Sequence, residues 1–342
     1  MEQIVIPDIY CPFPSLISPH LEQVREHTLD WIKRFRLIQG EAGLSYYRAI
    51  DIPEAICRIY PKASLEELLV LNDYYIWGFI YDDLYDDEKF STQPEGMDGL
   101  YEHMLAVLQN PSLVTPQGSL AEATVEAFQR MKRFMTTSPV LQKRFIQAHI
   151  DWLAAEREDA VRHTDQQIVD VQTCLDSRMK SAAALAALAI IEIVEHIEIP
   201  DEIYEGQPFQ EILVTAAHIL TSANDVYSLQ KELSLDDVNN VVIVMQRARG
   251  CSLQEAVDQT CAMIETKIQH FQELSENFPP SSPDNDRHIR TFLVDLGIMI
   301  RGALDWYRST TRYKGLVYPG IGKAGISLNE VLPPTKREDV CQ

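Results

Sequence analysis

The longest uninterrupted apolar stretch of the chain is Ala182-Ala-Ala-Leu-Ala-Ala-Leu-Ala-Ile-Ile191. It is too short to cross a bilayer, which takes about 20 residues. It reads instead as a helix buried on every side, and such a helix is stable only inside a core. No run of alternating β-branched residues offers a sheet to supply that core. The simplest reading is one all-α domain spanning 1–342, with helices over about 20–40, 51–59, 64–86, 97–109, 119–137, 139–163, 166–196, 208–233, 252–277 and 285–313. Turn signals lie between them: Asn110-Pro-Ser, Thr115-Pro-Gln-Gly118, Ile199-Pro-Asp, Glu205-Gly-Gln-Pro208 and Phe278-Pro-Pro-Ser-Ser-Pro-Asp284. None is long enough to be a domain linker.

Charge and cysteine usage narrow the function. Lys+Arg 30 against Asp+Glu 51 gives a formal net charge of −21, which argues against nucleic-acid binding and suits a protein that collects Mg²⁺. The six cysteines include no CxxC pair and the nine histidines no HExxH, so neither a disulfide frame nor a zinc site is expected. Residues 1–18 start acidic and carry several prolines, which predicts an extended arm without the basic region of a signal peptide. A soluble, cytoplasmic protein without membrane insertion is the expectation. Gly320-Ile-Gly322-Lys-Ala-Gly325 fits GxGxxG, but no strand precedes it; residues 316–342 read as a tail, in part a lid.

Two helical segments carry chemistry. In His218 to Leu233, a stretch without Gly or Pro, Asn224, Ser228 and Glu232 form one ladder at i, i+4 and i+8, with Lys231 on the same side. Leu213, Ala217 and Leu220 continue that ladder backwards, so its oxygens extend an apolar face. A hard divalent cation would satisfy them, and Lys231 would face an anion beside it; a solvated or capping face is the plainer alternative. The second segment begins with the capping box Ser64-Leu-Glu-Glu67 and carries Leu68, Leu71, Tyr75 and Phe79 on one stripe. Asp82 and Asp86 fall within about 60° of that stripe, away from Glu66, where a merely solvated charge run would sit. Two carboxylates one turn apart at the end of an aromatic face point to a metal site at the rim of a pocket.

Together these segments resemble the class I terpene synthases, of the microbial sesquiterpene cyclase type. Asp82-Asp83-Leu-Tyr-Asp86 is similar to their DDxxD motif, and Asn224-Asp-Val-Tyr-Ser228-Leu-Gln-Lys-Glu232 to their NDxxSxxxE triad, at a separation of 224 − 82 = 142 residues. Arg178, 224 − 178 = 46 residues before Asn224, matches the diphosphate-sensing arginine. Arg312-Tyr313 resembles the diphosphate-binding Arg-Tyr pair, and Trp306 a pocket tryptophan. Ser181 then stands at the linker position and Ala182 at the effector position, without the Thr and Gly usual after the sensor.

The resemblance implies a single-domain helical bundle with a central cavity and a trinuclear Mg²⁺ cluster. Asp82, Asp86, Asn224, Ser228 and Glu232 would be its ligands. Arg178, Lys231, Arg312 and Tyr313 would grip a prenyl diphosphate, and Phe79 and Trp306 would line a closed pocket around the carbocation. The chain length favours farnesyl diphosphate, with geranylgeranyl and geranyl diphosphate open. A chain-elongating prenyltransferase would be expected to carry a second DDxxD where Asn224 to Glu232 stands, and a non-catalytic helical binding protein would not need intact metal positions. Monomer and homodimer are both compatible with the sequence.

Overall fold

The computed structural model describes residues 4–85, 94–110, 119–165, 169–234, 238–314 and 320. Every regular element among them is helical: α1 (Leu21–Arg34), α2 (Glu41–Ile50), α3 (Ile52–Ile59), α4 (Leu65–Tyr85), α5 (Pro94–Gln109), α6 (Ser119–Phe134), α7 (Pro139–Asp165), α8 (Val171–Ser181), α9 (Ala184–Val194), α10 (Asp201–Tyr204), α11 (Gln207–Ser234), α12 (Val241–Arg249), α13 (Leu253–Glu276) and α14 (Pro283–Ser309), then a 3-10 turn at Thr311–Tyr313. None of the described helices is long and apolar enough to cross a membrane.

The expected helices are corrected in several places. The first helix stops at Arg34, because Phe35 caps it and Arg36 turns left-handed at φ 53°. Three helices went unread, α2, the short α10 and α12, the last opened by the Asn240 cap and closed by Gly250 at φ 61°. The single helix expected over 166–196 is broken after Ser181, where Ala183 adopts φ 52°. The last long helix ends at Ser309, and Arg312 and Tyr313 belong to the 3-10 turn.

The chain forms two compact units, Met1–Pro19, Cys57–Ala63 and Thr137–Gly315 in the first, His20–Ile56, Ser64–Thr136 and Leu316–Gln342 in the second. In the second unit α4 packs against α1 and α6. Its core is aromatic, with Trp77 packed edge-on to Phe128 at 5.3 Å and tilted against Tyr74 and Tyr81. Asp73 is wholly buried there and is held by His27 at 2.8 Å and by Arg130. Burial raises its carboxyl above the ordinary range in spite of those partners.

In the first unit α11 is central and packs against α8, α9, α12, α13 and α14. The apolar run becomes α9, whose Ile190, Ile191 and Ile193 are buried as its composition requires, each worth about 1.5–3 kcal/mol. Its one buried charge, Glu192, accepts on its two oxygens from Arg144 Nη1 at 2.8 and 2.9 Å and also accepts the Ile199 N–H at 2.8 Å. Residues 4–18 form no regular element and bend at Phe13. One row of α14 holds them: Arg301 donates to the Cys11 carbonyl, Asp305 accepts from Ser15, and Arg308 donates to the Ile9 carbonyl.

Two glycines of α14 mark close approaches of different stiffness. A Cβ on Gly302 would sit 2.4 Å from the Arg58 carbonyl oxygen, which is backbone, whereas one on Gly297 would sit 2.8 Å from the ring of Phe13 on the arm. Alanine gains about 1 kcal/mol of helix propensity over glycine at either site, and overpacking costs about 1–3 kcal/mol where nothing can yield. Gly302→Ala should therefore lower the urea midpoint clearly and Gly297→Ala much less, measured by far-ultraviolet circular dichroism of the two variants.

Candidate functional site

The ladder read from the sequence lies on α11, and it meets residues distant in the chain. Asn224 Nδ2 donates to the Tyr313 hydroxyl at 2.8 Å, and Oδ1 faces Arg178 Nη2, a donor only, at 3.4 Å. One turn on, Ser228 Oγ lies 2.6 Å from Glu232 Oε1 and 2.8 Å from the Asn224 carbonyl oxygen. Ser228 thus has a second acceptor for its proton, and both its oxygen and Glu232 Oε1 can be offered elsewhere. Three oxygen donors on successive turns of one helix face form a set that suits a hard divalent cation. Among the described residues no group of three or more His, Cys, Asp or Glu forms a metal site by itself, in keeping with a set that uses amide and hydroxyl oxygens.

Beneath this face lies Asp225, which is wholly buried. Its Oδ1 accepts from Arg178 Nε at 3.0 Å and Nη2 at 2.7 Å, and its Oδ2 accepts from the Val241 N–H at 2.7 Å. Burial, and after it the Asp225 carboxylate, pushes the neighbouring Cys174 thiol well up, so no reactive thiolate competes at the site.

Ser181 and Ala182 stand at the break between α8 and α9. The Ala182 N–H donates to the Arg178 carbonyl at 2.9 Å, and among the described residues no backbone N–H reaches the Ala182 carbonyl. Trp152 donates its ring N–H to the Ser181 carbonyl at 3.1 Å, while the buried Ser181 Oγ has no partner among the described residues. A non-glycine residue in the left-handed region costs about 1–3 kcal/mol and persists only where its surroundings enforce it. Ala183 is in that state directly after Ser181 and Ala182.

The C-terminal residues gather on the same unit. Trp306 is buried and meets Tyr313 edge-on at 6.0 Å, with Tyr307 tilted against Trp306 and edge-on to Tyr313. Arg312 is 4% exposed and its N–H is capped by Thr310 Oγ1 at 3.2 Å. Lys231 is half-buried beside Glu232.

On α4, Tyr75 and Phe79 are half-buried and Asp82 is exposed, and a Cβ on Gly78 would meet nothing within 4 Å. That stripe is the open side of α4. Asp83 turns the other way: it is 1% exposed and accepts from the Tyr47 hydroxyl at 2.6 Å. Asp86 lies outside the described residues, as do 316–319 and 321–342 of the tail.

The roles of Asp225, Asn240 and Trp152 went unread. Asp225 sits inside the quoted motif, but its neighbours on the helix do not reveal that its partner is Arg178. Asn240 had a usable signal, an Asn just before an apolar run that closes with basic residues and Gly250. Nothing local marks Trp152.

The sequence pattern described as "Terpene synthase family 2, C-terminal metal binding" matches residues 73–270, which include Asp82, Arg178 and the whole ladder. The germacrene A synthase of Nostoc punctiforme is 24% identical over 92% of this chain and 97% of its own. The (+)-T-muurolol synthase ((2E,6E)-farnesyl diphosphate cyclizing) of Roseiflexus castenholzii is 27% identical over 88% of this chain and 92% of its own. Among solved structures, the SVS_A2 protein from ancestral sequence reconstruction superposes with a TM-score of 0.79 at 26% identity, covering 89% of this chain and 90% of that one. An α-eudesmol synthase of 22% identity shares the fold with a TM-score of 0.78, over 88% of this chain and 99% of that one. With more than half of its length matched, this chain belongs to terpene synthase family 2 and is a terpene synthase of the class I helical fold.

Proposed function

We propose that the chain is a Mg²⁺-dependent cyclase that ionises farnesyl diphosphate and closes the resulting carbocation to a sesquiterpene hydrocarbon or alcohol. The observation that carries this reading is the meeting of Arg178, Asn224 and Tyr313, far apart in sequence, around the open end of one oxygen ladder. The farnesyl choice draws support from a relative of matching length whose name states that substrate. Five described cysteines are free, which fits a reducing compartment such as the cytoplasm.

Asp82, Asn224, Ser228 and Glu232 would hold the ions of a trinuclear cluster, with Asp86 as a further ligand. When bound, such ions supply the neutralising charge that makes diphosphate a good leaving group. Arg178, Lys231, Arg312 and Tyr313 would take the remaining diphosphate oxygens, the arginines in forked pairs. Arg178 must exchange the Asp225 carboxylate for the diphosphate to do so, and it carries the helix break at Ser181 and Ala182 with it. As the carbon–oxygen bond breaks, its electron pair leaves with the diphosphate. The allylic cation then needs a dry wall, and Trp306 and Phe79 would provide π faces, each worth about 2 kcal/mol when desolvated.

Mg²⁺ with inorganic diphosphate should raise the melting temperature of the wild type, by about 2.7 kcal/mol of linkage at a hundredfold excess over Kd, and neither ion alone should do as much. Glu232→Gln should lose most of that joint shift; a wild type indifferent to the pair would remove the diphosphate site. On farnesyl diphosphate, gas chromatography should show a cyclic product without any co-substrate. Trp306→Ala should still consume substrate but shift the mixture towards acyclic and monocyclic species. A longer diphosphate made only when isopentenyl diphosphate is added would identify a prenyltransferase instead.

A further inference from the structure

We propose that Asn240 is a positioning residue for the metal site: it holds Glu232 Oε2 so that Oε1 is the oxygen presented on the ladder face. The inference rests on the reading of α11 as the metal-binding helix. Asn240 is wholly buried at the N-cap of α12. Its Oδ1 accepts from the Val242 N–H at 2.8 Å and the Ile243 N–H at 3.3 Å. Its Nδ2 donates to the Asp225 carbonyl at 2.8 Å and to Glu232 Oε2 at 2.5 Å.

All of that amide's directions are used, and turning it over would set Nδ2 against two N–H donors and Oδ1 against two oxygens. The cap alone does not need an amide, because serine or aspartate caps as well. Only an amide can cap with one end and donate twice with the other. A neutral donor also suits the task, since a lysine or arginine in its place would compete with a cation for the carboxylate. The neighbouring Val241 N–H goes to Asp225 Oδ2, so the first three N–H groups of α12 all end on Asn240 or Asp225. The start of α12 is thereby locked to the two α11 residues that flank the ladder, Asp225 beneath Asn224 and Glu232 at its end.

The test separates capping from positioning with Asn240→Ser, which keeps a cap oxygen, and Asn240→Ala, which keeps none. Mn²⁺ binding in the presence of inorganic diphosphate is measured by calorimetry, alongside the melting temperature of each protein without ligand. Serine should melt close to the wild type and alanine lower, yet both should weaken Mn²⁺ by about tenfold or more, the usual effect of losing a group that orients a ligand. Ion affinity that instead follows the melting temperature, with serine like the wild type, would overturn the proposal. A wild type that binds no Mn²⁺ with diphosphate would overturn the metal reading itself.

Discussion

A carboxylate with no access to water must be matched by donors, and Asp225 is matched on both oxygens: by the Arg178 guanidinium on one and by the first N–H of α12 on the other. Removing one partner of such a buried pair typically costs about 3–5 kcal/mol, so the arrangement is strongly enforced. It fixes α8, α11 and the start of α12 against one another. The ladder of Asn224, Ser228 and Glu232 stands on the same turns beside Asp225, and Arg178 and Asn240 each touch both Asp225 and a member of the ladder.

Arg178 is the member that two anions can claim. In the structure its charge is answered by Asp225, with Asn224 at its edge. In the proposed function, a diphosphate would take the place of Asp225 as the anion that answers this charge. The strain at Ala183 lies just beyond it, and Trp152 grips the carbonyl before the break. A segment that already departs from helix needs less reorganisation to follow Arg178 than a continuous helix would.

Around this centre the first unit is stiffened by backbone contacts. Gly302 admits the Arg58 carbonyl into the surface of α14, and Arg301, Asp305 and Arg308 bind the arm along the same helix. Arg308 also donates to the Tyr227 hydroxyl at 3.1 Å, and Tyr227 sits within the ladder segment of α11. Burial raises that hydroxyl's pKa despite the adjacent Arg308, so it stays a neutral acceptor.

Much of this was legible in the chain. The helical period made one face of Asn224, Ser228 and Glu232, and set Asp82 on the aromatic side of α4, because those relations depend only on spacing along one helix. Helix α12 was missed although its caps are written plainly, since Val241 to Met245 is apolar throughout and has no period to read. The break at Ala183 could not be read at all: alanine favours helix, and the left-handed turn is imposed by packing. The sequence by itself determined an all-helical protein and the oxygen ladder, since these follow from local periodicity. Only the tertiary structure decided that Asp225 holds Arg178, that Tyr313 orients Asn224 and that Asn240 holds Glu232. Partners for buried polar groups are chosen by which helices pack together, and no local propensity encodes that choice.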